Sequence, residues 1–228
     1  MAPLPQSGGA ALTAPAGGAA AAVFERGGVR GFLHRPSAAA TGALVLTHGA
    51  GGNCRAPLLV AAAAVLTAAG LCVLRCDLPF RQRRPTGPPS PSGAATDREG
   101  LKEAVAAMRE IVAPVYLGGQ SYGGRQATML AAEQPGVAQA LLLFSYPLHP
   151  PGHPHRLRVD HFPRLSVPAL FVQGSRDPFG TIAEMRAAIA QIPAATQIIP
   201  VEDAGHDLRR GRFDLAAVAA AFLGLVKR

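Results

Sequence analysis

The stretch that decides the fold is Pro114-Val115-Tyr116-Leu117-Gly118-Gly119-Gln120-Ser121-Tyr122-Gly123-Gly124. Its first five residues are apolar or small and predict a β-strand, whereas residues 124–134 are rich in Ala, Met and Leu and predict a helix. A strand that runs directly into a helix needs a tight, strained turn, and the glycines around Ser121 leave room for it. The strand and the helix favour this interpretation over a glycine-rich turn with an incidental serine. We therefore expect the Ser121 hydroxyl to project beyond the strand, beside the first amides of the helix.

Strands and helices alternate on both sides of this turn. Continuous apolar runs predict buried strands, and apolar residues every three or four positions predict helices. The predicted strands are 22–26, 29–34, 43–47, 71–76, 114–118, 139–145, 168–173 and 197–201. The predicted helices cover 57–69, 96–112, 124–134, 181–192 and a last segment that begins near Asp214. This alternation predicts an α/β fold, in which one doubly wound, mostly parallel sheet is flanked by helices.

Two helix starts and two loops refine this prediction. Thr96 with Glu99, and Thr181 with Glu184, have the spacing of capping boxes. Residues 79–93 are dense in Pro, Arg and Ser, and we expect them to lack regular structure. Residues 146–164, which follow the 139–145 strand, form a connection that we expect to be a loop without a large cap domain. An open site for small or accessible substrates is the consequence we expect.

The ends of the chain and its cysteines suggest a compartment. Residues 1–22 are mostly Ala, Gly and Pro and are predicted to be a disordered, low-complexity lead-in, whereas residues 23–228 are predicted to form a single domain. The lead-in lacks the basic and apolar regions of a signal peptide. No apolar run reaches the ~18 residues that a membrane span requires. The three cysteines form no paired framework, which is typical of a reducing environment, so a cytoplasmic location is expected.

The chain is strongly basic, with a formal net charge of +8, and all of its 22 basic residues except Lys102 and Lys227 are arginine. Nucleic-acid binding is one interpretation of such a charge. However, the two dense groups, Arg81–Arg84 and Arg209–Arg212, contain no interleaved aromatic residues and match no nucleic-acid motif. We therefore expect scattered arginines and no nucleic-acid partner, with a weak preference for anionic substrates.

Three chemically active side chains follow predicted strands. Residues 119–123 read G-x-S-x-G, which is the nucleophile-elbow pattern of α/β-hydrolases, and in that fold the acid and then the histidine follow the serine. Asp177 comes just after the 168–173 strand, and His206 comes just after the 197–201 strand. Because the carboxyl ends of parallel strands meet at one edge, Ser121, Asp177 and His206 are predicted to form a catalytic triad. Asp203 is the alternative acid, although we expect it to tie down its own loop.

An acyl-transfer site also needs amide donors for an oxyanion. The amide of Tyr122 follows the nucleophile directly, and that of Ala50 lies in the loop after the 43–47 strand. We predict these two donors. His48, in the same loop, is expected to be structural rather than catalytic. Gly51 of this loop is also a candidate for substrate contacts.

The loop after the 139–145 strand contributes the remaining candidates. Tyr146 and His149 are candidates for substrate contacts. His149, His153 and His155 raise the alternative of a metal site, but no carboxylate or cysteine joins them at a regular spacing, so no metal and no cofactor are expected. Arg125, one turn into the helix after the nucleophile, is expected to pair with a nearby acid, and a substrate anion is the alternative partner.

Four stretches together resemble one family. They are residues 46–52, Gly119–Arg125, Ser145–Pro150 and residues 170–177, and they are similar to the KANL/testis-expressed branch of the α/β-hydrolases, which is related to dienelactone-hydrolase-like proteins. The resemblance runs from about Val29 to the C-terminus, and the Ser145–Pro150 stretch is its most specific part. It implies the same triad. Dienelactone hydrolases proper have a cysteine nucleophile where this chain has serine, so their substrate is not implied.

A serine hydrolase is the function that these patterns predict. It would cleave an ester or related acyl bond of a small molecule through an acyl-enzyme. The alternative is a catalytically silent protein with the same fold that acts as a binding or scaffold subunit, because the resemblance includes animal members that are subunits of chromatin complexes. The presence of all the catalytic parts in this sequence favours the enzyme.

Overall fold

A computed structural model of the chain describes residues 21–209 and 213–227. Within these residues, one eight-stranded sheet spans the molecule in the order β1-β2-β4-β3-β5-β6-β7-β8. The strands are β1 Ala22–Arg26, β2 Val29–His34, β3 Ala43–Thr47, β4 Cys72–Cys76, β5 Val115–Gln120, β6 Leu141–Phe144, β7 Ala169–Gly174 and β8 Thr196–Val201. β1 and β2 form an antiparallel hairpin on β4, and the strands from β3 to β8 run parallel. The predicted sheet is confirmed, whereas the predicted lead-in lies mostly outside the described residues.

Helices cover both faces of this sheet. They are α1 Pro57–Ala68, α2 Pro79–Arg83, α3 Ala94–Arg109, α4 Tyr122–Glu133, α5 Ile182–Ile189 and α6 Leu215–Val226. The apolar side chains of α3, α4 and α5 pack against one face, and those of α1 and α6 pack against the other. Every residue of β3 and β4 is therefore buried, which explains why these strands are continuous apolar runs rather than alternating ones.

The structure corrects two predictions for residues 79–99. Residues 79–93, expected to be irregular, contain the α2 helix and a short 3-10 turn at Pro91–Gly93. Pro79 and Pro91 each occupy a first helical position, where a proline loses no hydrogen bond. The predicted capping box at Thr96 is wrong, because α3 begins at Ala94 and Thr96 lies inside it. The neighbouring Asp97 instead accepts hydrogen bonds from outside its helix.

The other predicted capping box is confirmed. The Thr181 side chain accepts from the Glu184 amide, and the Glu184 carboxylate accepts from the Thr181 amide. The connection between β6 and β7 is a loop with one 3-10 turn at Phe162–Arg164, so the described chain has no large cap domain. In the described ranges, the structure has no helix with the length and apolar character of a membrane span.

Candidate active site

Ser121 sits in the turn between β5 and α4 with a φ of 51° and a ψ of −116°, which is a strained conformation for a residue with a side chain. The residues two positions before and two positions after Ser121 are glycines, and the neighbouring backbone leaves no space for a side chain at either position. A Cβ on Gly119 would lie 2.8 Å from the Thr47 carbonyl oxygen, and one on Gly123 would lie 2.5 Å from the His48 carbonyl oxygen. The glycines therefore allow β5 and α4 to approach the loop after β3 closely.

A continuous hydrogen-bond chain begins at this serine. His206 Nε2 lies 2.8 Å from Ser121 Oγ, and His206 Nδ1 lies 2.7 Å from Asp177 Oδ2. The Asp177 carboxylate is fully buried, whereas the imidazole of His206 keeps 22% of its surface exposed. The structure therefore brings together the three side chains that the order of the motifs predicts, and it leaves the imidazole accessible from the cavity.

Two residues that the sequence patterns did not identify hold the acid and the imidazole. Gln173, at the end of β7, donates from Nε2 to Asp177 Oδ2 at 2.9 Å, and the Phe179 amide donates to Asp177 Oδ1 at 2.8 Å. The Phe179 ring lies against His206, with ring centroids 4.1 Å apart and an interplanar angle of 30°. Both carboxylate oxygens are thus oriented, and the ring restricts the imidazole to one face.

The alternative acid, Asp203, does not reach the imidazole. It is exposed and forms an ion pair with Arg176 at 2.6 Å, and its amide donates to Ser175 Oγ. These contacts tie the loop after β8 to the loop after β7. Asp203 therefore has the loop-fixing position expected for it.

The loop after β3 lies against the nucleophile. A Cβ added to Gly49 would be 3.4 Å from Ser121 Cβ and 4.0 Å from Ser121 Oγ. Within residues 21–209 and 213–227, the amides of Ala50 and Tyr122 donate to no acceptor. Two amides thus remain free beside the serine, as an oxyanion hole requires.

Arg81 fixes the far side of this loop. Its guanidinium, only 5% exposed as a residue, donates to the carbonyls of Ala50 and Gly52 at 2.7 Å each and to those of Arg84 and Gly87 at 3.2 and 3.1 Å. The Arg81 side chain therefore joins residues 48–52, which we call the oxyanion loop, to the proline-rich segment after α2. Arg81 belongs to the arginine-dense group Arg81–Arg84, and nothing in that sequence pattern distinguishes it from its neighbours.

His48 stabilises the same loop from below. Its buried ring lies with Nδ1 2.8 Å from the Gly49 carbonyl and accepts from the Leu78 amide at Nε2, 3.1 Å away. These partners fix the neutral tautomer with the proton on Nδ1. Burial lowers the pKa of His48 as well. Both ring nitrogens are occupied by backbone groups, in accordance with the structural position expected for His48.

The side chain of Tyr122 forms a hydrogen bond with a residue of α3. Its hydroxyl donates to Asp97 Oδ2 at 2.7 Å, and Asp97 Oδ1 accepts from the Phe80 amide at 3.0 Å. Burial, with the carboxylate of Asp97 as a further cause, raises the pKa of Tyr122. Asp97 thereby joins α3 to α2 and α4, and it fixes the residue whose amide is a candidate oxyanion donor.

A cavity of about 890 Å³ opens above Ser121, which lies within the usual range for small-molecule sites. Gly51, which was predicted to contact substrate, lines it. Most of the wall is apolar and comes from Ala56, Pro57, Leu58, Pro88, Pro89, Pro91, Ala94, Met129, Pro147, Phe179 and Leu208. The proline-rich segment after α2 thus forms one side of the cavity.

The structure does not bring Tyr146 and His149 to this cavity. Tyr146 is 1% exposed because it packs between Phe162 and Phe171, and its hydroxyl donates to the Arg158 carbonyl at 2.7 Å. His149 is buried, and its amide donates to the Phe179 carbonyl. Both residues instead support the loops that form the wall, which corrects their predicted contact with substrate.

Among the residues that the structure describes, Arg125 also lacks its predicted acid partner. Arg125 lines the cavity, yet no carboxylate in the described part of the chain forms an ion pair with it. As for the histidine-rich loop, no group of three or more His, Cys, Asp or Glu side chains among the described residues has the arrangement of a metal site.

Comparison with known proteins finds a family that matches most of the chain. A family model described as an alpha/beta hydrolase domain matches residues 40–217, which is most of the chain. That interval includes the serine, the acid, the histidine and the loop after β3.

Solved structures with the same fold include three bacterial proteins. A dienelactone hydrolase from Anabaena variabilis has a TM-score of 0.68 and 24% identity, over 91% of this chain and 96% of that one. Est1E from Butyrivibrio proteoclasticus has a TM-score of 0.71 and 16% identity, over 92% of this chain and 100% of that one. XC6422 from Xanthomonas campestris, described as an α/β serine hydrolase without lid, has a TM-score of 0.64 and 19% identity, over 94% and 95%.

Proposed function

Since this chain belongs to the alpha/beta hydrolase domain family, we propose that it is a serine hydrolase that cleaves an ester or a related acyl bond through an acyl-enzyme. The observation that carries this proposal is the hydrogen-bond chain from Ser121 through His206 to Asp177. A serine hydroxyl is a weak nucleophile without a base in hydrogen-bond reach, and His206 is such a base for Ser121.

Each part has one task in the proposed mechanism. Ser121 Oγ attacks the acyl carbon while His206 Nε2 takes its proton, and the imidazolium then returns that proton to the leaving group. Asp177 holds the Nδ1–H tautomer and stabilises the imidazolium. The amides of Ala50 and Tyr122 donate to the oxyanion of the tetrahedral intermediate. Water, activated by the same imidazole, then releases the acid and restores the serine.

The substrate that we propose is a small acyl compound that enters the open cavity. What supports this is the partial exposure of Ser121 and His206 together with the loop, rather than a cap domain, between β6 and β7. Within the family, we assign the chain to the KANL/testis-expressed, dienelactone-hydrolase-like branch. The Ser145–Pro150 stretch supports this assignment.

A fluorophosphonate probe tests the proposed activity directly, because it labels only activated serines. We expect the wild-type protein to be labelled, and both Ser121→Ala and His206→Ala to lose labelling. Ser166→Ala and His153→Ala remove the same side chains from exposed positions and serve as controls that keep labelling. A folded wild-type protein that is not labelled would overturn the proposal and favour the binding or scaffold alternative.

A further inference from the structure

Two positively charged side chains in the cavity wall have no ion-pair partner within the described residues. Arg125 lies on α4 and Arg158 lies in the loop between β6 and β7, and both side chains are half-buried in the cavity wall. In the described part of the chain, neither guanidinium forms an ion pair with a carboxylate. Two other charged residues, Asp207 and Arg209, also line the cavity. They are exposed and pair with each other, with Arg209 Nε 3.7 Å from Asp207 Oδ2.

Arg125 is the less satisfied of the two arginines. Its Nε atom is buried and has no hydrogen-bond partner among the described residues. The Arg158 side chain has one, the Pro147 carbonyl at 3.3 Å from its Nη1. A guanidinium has five N–H donors, and a buried donor without an acceptor destabilises the folded protein. In the described part of the chain, two cations without an ion-pair partner thus line the cavity that contains Ser121.

Two carboxylates lie in the surroundings of these arginines, and neither forms an ion pair with them in the described part of the chain. The Asp160 carboxylate is exposed, and its charge acts with those of Arg125 and Arg158 on the Tyr146 hydroxyl. Asp97 already accepts from the Tyr122 hydroxyl and the Phe80 amide. His161 accepts or donates at Thr128 Oγ1, and its burial, aided by the charge of Arg125, lowers its pKa to about 4, so the ring is neutral at pH 7.

The two cations also act on each other. Burial lowers the pKa of Arg158, and the positive charge of Arg125 lowers it further. Both guanidinium groups remain charged at neutral pH. Their mutual repulsion is relieved when an anion lies near both.

We infer that this part of the cavity is an anion subsite, where the two arginines bind a carboxylate or phosphate group of the substrate. The inference rests on the proposed function, because it names the substrate class of the same site. The planar fork of a guanidinium matches the geometry of both anions, and binding of either would place negative charge beside two cations that have no ion-pair partner among the described residues.

The position of the subsite fits an acyl compound with a charged end. The Arg125 amide donates to the Ser121 carbonyl in the first turn of α4, so the two residues are about 6 Å apart along the helix axis. Apolar side chains, among them Met129 and Pro147, also line the cavity. An apolar spacer of a few carbons would therefore link the acyl carbon at Ser121 to an anion at the arginines.

Binding of anions tests the subsite without any turnover. Titration calorimetry with adipate and with inorganic phosphate, at constant ionic strength, measures the affinity of the full-length protein for each anion. We expect one of the two to bind, and Arg125→Gln and Arg158→Gln each to weaken that binding at least about tenfold, as expected for a charge-assisted hydrogen bond. Arg186→Gln removes the same charge from an exposed position on α5 and is the matched control.

A pair of esters then relates the subsite to turnover. The 4-nitrophenyl monoester of adipate and its neutral methyl ester differ in one charge, so the ratio of their kcat/KM values cancels general effects of a substitution. We expect a ratio above one in the wild type that falls in both arginine variants if the anion is a carboxylate. Phosphate binding that both variants weaken would identify a phosphate group instead.

The two proposals fail in different ways. Absence of fluorophosphonate labelling would reject the serine hydrolase and leave the calorimetric result standing. The anion subsite is rejected, even when Ser121 is labelled, if neither anion binds the wild type. It is also rejected if both arginine variants bind the anion as tightly as the wild type does. Circular dichroism of each variant establishes that it is folded, and the two variants at different elements provide independent tests.

Discussion

The side-chain amide of Gln173 donates to Asp177 Oδ2 at 2.9 Å, and this oxygen is the one that lies 2.7 Å from His206 Nδ1. Gln173 Nε2 also lies 3.1 Å from the Gly180 carbonyl oxygen. Because Gln173 is fully buried at the end of β7, its amide cannot exchange these partners for water. It therefore holds the carboxylate that orients the imidazole, and we interpret it as a positioning residue.

Replacing Gln173 by Leu should slow the reaction of Ser121 without preventing folding. The substitution keeps a similar volume in β7 but removes the donor that orients Asp177. We expect the rate constant of fluorophosphonate labelling to fall about tenfold, which is the loss expected for one hydrogen bond to a charged group. Gln191→Leu, at an exposed position, is the matched control. Equal labelling rates in the two variants would show that Phe179 alone orients the acid.

Arg81 should affect turnover through the backbone of the oxyanion loop. Arg81→Met removes all four of its hydrogen bonds to carbonyls, including those to Ala50 and Gly52. We expect kcat on a neutral 4-nitrophenyl ester to fall about tenfold or more, because misplaced amides stabilise the oxyanion less. KM should change little. Arg83→Met, at an exposed position of the same helix, is the control. A fall in thermal stability with unchanged kcat would make Arg81 structural only.

The sequence allowed the sheet and the serine turn to be predicted because local rules determine both. The apolar run 43–47 and the glycines around Ser121 each have one favoured structure, and the structure contains it. The positions of Asp177 and His206 followed from chain order, since parallel strands bring their carboxyl ends to one edge. These features needed no knowledge of which side chains meet.

The contacts that could not be predicted join residues far apart in the chain. Gln173 differs in no local pattern from other strand glutamines, and Arg81 lies in a segment whose composition indicated a loop. The helix at Ala94 begins earlier than the Thr96 pattern indicated, because the 3-10 turn at Pro91–Gly93 leads directly into it. The lack of an ion-pair partner for Arg125 in the described ranges is likewise a property of the folded surroundings.

Gly123 should tolerate no side chain. A Cβ there would lie 2.5 Å from the His48 carbonyl oxygen and 2.6 Å from Thr47 Cγ2, and neither the backbone of the loop nor the buried threonine can move freely. We expect Gly123→Ala to lower the free energy of unfolding by about 1–3 kcal/mol. Urea titration followed by circular dichroism measures this change.

The same substitution in an open place gives the control for Gly123. Gly224 lies in α6 with no atom within 4 Å of an added Cβ, so Gly224→Ala should raise the free energy of unfolding by about 0.5–1 kcal/mol. Similar gains in both variants would mean that helix propensity, rather than the close approach of α4 to the loop after β3, decides the result.

His34 should make the folded protein sensitive to mild acid. Its Nε2 accepts from Arg75 Nε at 2.8 Å, and burial, together with the charge of Arg75, lowers its pKa from 6.5 to about 4. Between these two values the unfolded chain binds a proton at His34 that the folded protein does not. The free energy of unfolding that depends on His34 is therefore fully present above pH 6.5 and decreases as the pH falls toward 4.

His34→Gln keeps an acceptor for Arg75 but removes this titration. Its free energy of unfolding should decrease by about 2 kcal/mol less than that of the wild type between pH 7 and pH 4.5. Urea titrations at the two pH values measure the difference, and the contribution of His161, whose pKa is also lowered by burial, cancels because both proteins contain it. Parallel losses in the two proteins would mean that His34 becomes protonated in the folded state, and that its hydrogen bond with Arg75 breaks at little cost.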